Sequence, residues 1–451
     1  MKLFFRRIHL YLGLASGLFL VLVCLTGTIL VFEDELEHAF HAERYTVATA
    51  GPRLSLAQLT AAVRAAKPKA KITSFKVYAD PTRSVEISLA GAGRPGEGPG
   101  GPRGAGERTA DRQGGAATRG AGRDNMRSQD PENQPAAGEQ AHGSERRGAN
   151  RAEGNPSGGP GGPGGKGGPG GGGGGGPRLY VNPYTGVILS EVNPRESFFH
   201  FVEQIHRGLV AGRVGKTVMG INSIIFVFIL LTGLVLWWPA TRKAMQQRLQ
   251  VKWGSGWKRL NHDFHIVLGF YTSLFLLVVA LTGVGMSFDF VGKAINTLTH
   301  SPMQRPEPPT SAAPAPGAQT LGADAALAAA RQQAPAAESY AVQLPRDPSG
   351  SVQVSVLKAG ALTERSTDDL YFDQYSGQVL KQQAYEQKPL GQRIRGLFKP
   401  IHTGAIFGWP TKLLAFIVVV LGATFPITGT ILWLNRTRKA NRKGKVRVAV
   451  A

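Results

Sequence analysis

Residues 9–27 read HLYLGLASGLFLVLVCLTG, and residues 265–283 read HIVLGFYTSLFLLVVALTG. Each stretch opens on a histidine, places a glycine four positions later, carries no charged residue and closes on Leu-Thr-Gly. The separation from His to the final Gly is 18 in both (27 − 9 and 283 − 265). Runs of this length and composition read as membrane-crossing helices, which need about 20 apolar residues. A second set of spacings agrees. His206-Arg-Gly precedes Thr232-Gly233, and His402-Thr-Gly precedes Thr428-Gly429, with 26 residues from His to Thr in each case (232 − 206 and 428 − 402). Matched spacings at four places predict a duplicated two-helix unit and a membrane α-helical fold with four transmembrane helices, near residues 10–32, 218–238, 266–288 and 413–434.

The net charge of +22 does not point to nucleic acid, because the basic residues flank the apolar runs instead of forming a stripe or an aromatic-interleaved patch. Lys2, Arg6 and Arg7 precede the first run. Arg242, Lys243, Arg248, Lys252, Lys258 and Arg259 lie between the second and third, and a basic tail follows the fourth. The positive-inside rule places all three in the cytoplasm and sends the segments 33–215 and 289–411 to the other face. Trp237, Trp238 and Trp433 then belong to the cytoplasmic aromatic belt. The first run lacks a small-x-small cleavage site before Glu33-Asp34-Glu35, so it reads as a retained span instead of a signal peptide. The single cysteine, Cys24, excludes a disulfide framework and a cysteine-based metal site.

The extramembrane segments repeat as well. Residues 179–189, LYVNPYTGVIL, answer residues 370–380, LYFDQYSGQVL, each a hairpin pattern around a Tyr-Thr-Gly or Tyr-Ser-Gly turn. Upstream of each come a helical pattern (54–66 and 321–333) and two strand patterns (71–79 with 84–89, and 339–344 with 351–357). Two small α+β extramembrane domains are expected. The resulting division is 1–32 span; 33–195 first α+β domain; 196–240 His-bearing segment and span; 241–261 loop; 262–290 span; 291–390 second α+β domain; 391–435 His-bearing segment and span; 436–451 tail. Residues 91–177 have no counterpart in the second half and are dominated by Gly, Pro and polar residues, so they read as a disordered insertion in a hairpin loop. A phosphate-cradling glycine loop would need a strand–helix setting that is missing there.

Ionisable residues at membrane depth are costly and default to functional candidates. His9 and His265 fall at the cytoplasmic ends of their spans, and His206 and His402 at the opposite face. Each pair draws one member from each half. Facing imidazoles between helices can grip a b-type haem. The alternative, interfacial histidines in ordinary hydrogen bonds, stays open. The Thr-Gly steps lie at the same two depths and offer either a notch for a flat macrocycle or plain close helix packing. Arg6, Arg7, Lys258 and Arg259 on one side, and Arg207, Arg213, Arg395 and Lys399 on the other, are candidate partners for propionates. His262 and His200 lie near the pairs but have no counterpart in the other half, so they rank as supporting residues. His38 and His41 follow an acidic cluster and read as surface residues or weak metal ligands.

The His-x3-Gly…Leu-Thr-Gly runs at His9 and His265 resemble the PepSY-associated transmembrane helix family. So do Ile205-His-Arg-Gly-Leu, Ile401-His-Thr-Gly-Ala-Ile-Phe-Gly and the endings Thr232–Trp237 and Thr428–Trp433. The resemblance covers nearly the whole chain outside 91–177, with the α+β segments similar to PepSY domains. Relatives of this kind include iron-regulated inner-membrane proteins and ferric-siderophore reductases. The resemblance implies a bacterial inner-membrane oxidoreductase with two haem b groups, with His9, His265, His206 and His402 as the iron ligands and no separate catalytic side chain. First-span relatives have His-Arg-Trp where this chain has His9-Leu10-Tyr11. The expected activity is reduction of a ferric siderophore or other ferric complex outside the cytoplasm. No dinucleotide or flavin fingerprint is present, so the electron donor would be external, a quinol or a flavoprotein. A siderophore-related transporter and a non-enzymatic module that binds a partner protein are the competing expectations.

Overall fold

The computed structural model describes residues 1–91, 176–304, 306–314 and 316–449, with side chains as far as Arg438. The insertion expected over 91–177 lies almost wholly outside the described residues. Four helices are long and apolar enough to cross a membrane: Lys2–Val31, Gly212–Trp237, Trp257–Ser287 and Trp409–Arg438, spans one to four. Each is longer than its apolar run, because hydropathy marks only the hydrocarbon-embedded turns while the helix continues through the polar interface. Span three is not uniformly α-helical, since Phe264–Leu268 forms a π turn around His265. Span one packs on spans two and four, and span three on the same two. His9 and His265 therefore sit on one diagonal of the bundle.

Between its two ends the bundle is closed by an apolar layer of Leu230, Leu276, Ala280 and Val418, with Phe226 and Phe425 against it. Hydroxyls inside the bundle return their protons to the helix. Ser16 donates to the Leu12 carbonyl at 2.7 Å and Thr272 to that of Leu268 at 2.8 Å. With no water in the hydrocarbon to satisfy them, such groups must pair internally.

The extramembrane strands form one antiparallel sheet of eight: β1 Ile72–Tyr78, β2 Val85–Leu89, β3 Arg178–Val181, β4 Ile188–Val192, β5 Ala337–Gln343, β6 Val352–Lys358, β7 Thr367–Phe372 and β8 Val379–Gln383. Their order is β4-β3-β2-β1-β5-β6-β7-β8. Period-2 alternation puts Phe75, Ile87, Leu179, Val342, Val354 and Phe372 on one face. There they bury against the helices Leu56–Ala66 and Ala323–Gln333 in a single core. The two α+β segments thus share one sheet and one core. The join is β1 on β5, in register from Ser74↔Gln343 to Tyr78↔Ser339, and it covers two strand edges that would otherwise be open to aggregation.

The predicted turns share one chemistry. Asn182 Oδ1 accepts from Tyr184 N at 2.8 Å, and Asp373 Oδ1 from Tyr375 N at 2.9 Å. Gly186 and Gly377 follow at φ 73° and 71°, a left-handed backbone that glycine adopts without strain.

The core is also tied across its middle. Ser55 and Gln58 form a capping box on helix Leu56–Ala66, and the Asp324 carboxylate accepts from Leu56 N at 2.6 Å and Ala57 N at 2.8 Å. That carboxylate sits where the helix dipole favours negative charge. Asp324→Ala should destabilise the protein by about 1–2 kcal/mol, read as a lower melting temperature of the purified chain with the number of strands unchanged by circular dichroism.

Candidate functional site

Two short helices outside the spans carry the second histidine of each half. Helix Phe198–Gly208 holds His206 and helix Leu390–His402 ends on His402. Each is folded back against the bundle by a tight connection to the following span. In the first half the turn places Leu209 and Val210 at φ 52° and 56°, and Gly208 and Gly215 touch so closely that a Cβ on Gly215 would lie 1.8 Å from the Gly208 oxygen. In the second half Gly404 makes the turn at φ 76°, with a Cβ there only 2.6 Å from Ala415 Cβ. No side chain fits either place, which is why both connections are glycine-rich.

The four histidines stand as two pairs, His9 with His265 inside the bundle and His206 with His402 on the folded-back helices. His9 and His265 have ring centroids 6.4 Å apart with planes at 86°. His206 and His402 stand 6.0 Å apart at 76°. Phe425 meets the edge of His265 at 6.0 Å.

Each ring is held in the same way by the Thr-Gly step of the neighbouring span in its own half. His9 Nδ1 lies 3.0 Å from Thr232 Oγ1, His206 Nδ1 3.0 Å from Thr26 Oγ1, His265 Nδ1 2.9 Å from Thr428 Oγ1 and His402 Nδ1 3.1 Å from Thr282 Oγ1. The four hydroxyls donate their protons to the carbonyls of Phe228, Leu22, Thr424 and Val278, one turn back at 2.8–3.0 Å. Their oxygens are left to accept. A backbone carbonyl three residues before each threonine accepts too: Ile229 for His9, Val23 for His206, Phe425 for His265 and Val279 for His402. Every partner of Nδ1 is an acceptor, so the proton sits on Nδ1 and the lone pair on Nε2. Fixing the tautomer by a hydrogen bond to the far nitrogen is how a histidine is prepared as a metal ligand.

The glycine of each step makes room for the ring. A Cβ on Gly233 would lie 3.2 Å from His9 Cε1, one on Gly27 3.2 Å from His206 Cε1, one on Gly429 3.1 Å from His265 Cε1 and one on Gly283 3.3 Å from His402 Cε1. The notch expected at these glycines receives the imidazole itself. Burial pushes His206 down to about 4, with the facing His402 adding to the effect, and burial lowers His402 as well. Burial therefore favours the neutral form of the His206 and His402 rings, the form that ligation requires.

Imidazole–metal bonds run about 2 Å, so one metal gripped from both sides needs ring centroids roughly 6 Å apart. Both pairs meet that spacing. Neither pair has a third protein ligand: no group of three or more His, Cys, Asp or Glu side chains suited to a metal exists among the described residues. Any metal here must bring its remaining donors with it.

The supporting candidates fall elsewhere. The His262 Nδ1 donates to Asp263 Oδ1 at 3.2 Å, alongside an Arg259–Asp263 pair at 2.8 Å. His200 lies against Glu203 at 3.6 Å and Gln204 at 3.0 Å. His38 donates to the Asp34 carbonyl at 2.7 Å and stacks on Tyr45, while His41 pairs with Glu43 at 3.4 Å. Arg207 pairs with Glu203 at 2.8 Å and Arg395 packs against Gly292. Arg6, Arg7, Lys258, Arg213 and Lys399 are exposed. Of the three tryptophans expected in a belt, Trp238 is exposed, but Trp237 turns inward and stacks on Phe270.

The four threonines are the residues whose role the sequence did not disclose. Thr-to-Val at Thr26 or Thr282 keeps the shape and removes the acceptor. A metal group held between His206 and His402 should then be bound about 10–100-fold more weakly, as measured by competition with a high-affinity acceptor protein.

No curated protein matches the chain. A family model described as the PepSY-associated TM region matches residues 6–436, from the first span to the end of the fourth and across all four histidines. The chain is a multi-pass membrane protein and belongs to the PepSY-associated transmembrane family.

Proposed function

We propose that the chain is a two-haem electron-transfer protein of a bacterial inner membrane that reduces ferric complexes, siderophores among them, on the periplasmic side. The observation that carries this reading is the pair of facing imidazoles at each end of the bundle, every ring fixed with a free Nε2 by the same Thr-Gly cradle. Two imidazoles and no third protein ligand would suit a group that brings its remaining donors with it, as a macrocycle does. His9 and His265 would hold one haem b, His206 and His402 the other. When bound, the groups supply one-electron redox chemistry. The protein's part would be to supply the imidazole ligands and exclude water through the apolar layer around Leu276 and Val418.

The halves are read as copies of one unit, each contributing one ligand to each pair, with their α+β segments as PepSY domains. The basic loop and tail support a cytoplasmic location for the His9 end. Glu307, Lys381, Gln383 and Gln392 line a small polar recess beside the helix bearing His402. Reduction releases the metal because ferrous iron binds hard oxygen donors less tightly than ferric iron. A quinol or a flavoprotein would supply the electrons.

The test is a reduced-minus-oxidised absorbance spectrum of the purified chain with haem quantitation. Two b-type haems per chain are expected. A colourless protein after expression with ample haem refutes the reading and favours a partner-binding module.

A further inference from the structure

Trp237 is 7% exposed, and its indole N–H is buried without an acceptor among the described residues. Such a group nearly always finds a partner when buried, and no side chain or carbonyl among the described residues supplies one here. The side chain is not loose. Its ring lies flat on Phe270, with centroids 3.6 Å apart and planes at 7°. Its backbone carbonyl accepts from Arg248 Nη1. The donor is therefore held in place with nothing to donate to.

Its position says what it waits for. Trp237 stands one helical turn beyond Gly233, the glycine that abuts His9. Phe270 follows His265 by five residues. His9 and His265 occupy spans one and three, which lie diagonally across the bundle, with spans two and four on either side. The space between those imidazoles is therefore flanked by spans two and four, and Trp237 is on span two. The acceptor must be an oxygen or nitrogen on the edge of a group held there, since the indole can only donate. On a b-type macrocycle the edge acceptors are the carboxylates.

We propose that Trp237 anchors the group held by His9 and His265 by donating its indole N–H to a propionate carboxylate. The assignment rests on the haem reading given above. It makes the inner site lopsided, because the corresponding Trp433 is only partly buried. The Asn222 Oδ1, the other orphaned atom of span two, is an acceptor and cannot serve a carboxylate.

Trp237→Phe removes the N–H and keeps a ring on Phe270. In the full chain loaded with haem, the inner haem should pass to excess apomyoglobin about tenfold faster than in the parent, with the outer haem unchanged. Trp238→Phe, at a position 71% exposed, should behave as the parent. Ultraviolet resonance Raman on the unaltered protein gives a reading that needs no variant: the tryptophan N–H band should move to its hydrogen-bonded position when haem is added. Two haems bound with parental loss rates in Trp237→Phe, or no band movement in the parent, overturns the anchor and leaves the two-haem reading intact. An unchanged haem with a raised KM for quinol also overturns it, placing the acceptor on the electron donor. If no haem binds at all, both readings fall together.

Discussion

Replacing His206 and His402 together by alanine should leave a protein that binds one b-type haem per chain instead of two and reduces ferric complexes at least about 100-fold more slowly. Haem quantitation against protein, with the activity measured on the same preparation, checks it. No group of three or more His, Cys, Asp or Glu side chains suited to a metal exists among the described residues, so no other cluster stands ready to take the place of the two rings. His200 is engaged with Glu203 and Gln204. The fold should survive, because the helices bearing these histidines also pack through Phe199, Val202 and Pro400, which are buried independently of the rings. The double change at His9 and His265 should remove the other haem and leave the outer pair's spectrum in place. A variant that keeps both haems after losing His206 and His402 would break the assignment of ligands.

Much of this was readable before any coordinates. The 18- and 26-residue spacings fix which helical turns face each other, because helix rise is constant and antiparallel spans invert depth. That is enough to set Gly233 and Gly429 at the depth of His9 and His265, and Gly27 and Gly283 near that of His206 and His402, but not to say which step holds which ring. What spacing does not carry is rotation about the helix axis. It could not tell whether the Thr-Gly glycines faced a macrocycle, a neighbouring helix or the imidazole, nor that Trp237 turned inward while Trp238 turned out. The π turn at Phe264–Leu268 was likewise hidden, since one rewound turn leaves the hydrophobic pattern of span three almost unchanged. The continuous sheet was hidden for a different reason. Alternation along β1 and β5 says that each has one buried face, but not which edge of a strand will find a partner.

The sheet holds one arrangement that alternation actively obscures, and it sets the largest stability effect expected here. Lys388 and Asp369 are 6% and 2% exposed, paired at 2.8 Å. Lys388 Nζ also donates to the Thr367 carbonyl at 2.6 Å and Asp369 accepts from Ser355 Oγ at 2.8 Å. Charges so buried are tolerated only when both are paired and their remaining hydrogen-bonding positions are met. Lys388→Met removes the cation and leaves a buried carboxylate with only hydroxyls around it, so it should cost about 3–5 kcal/mol. Asp369→Leu should cost a similar amount by stranding the ammonium. The double change Lys388→Met with Asp369→Leu should recover most of the loss, because an apolar pair of similar volume replaces the ion pair at little net cost. Melting temperatures of the four proteins close the cycle. If the double variant is as unstable as the sum of the single ones, the two charges act separately and the pair is not what holds the β7 end of the sheet to the segment leading into helix Leu390–His402. If it recovers, the ion pair serves to fix how that segment leaves the sheet, and with it the direction from which His402 enters the bundle.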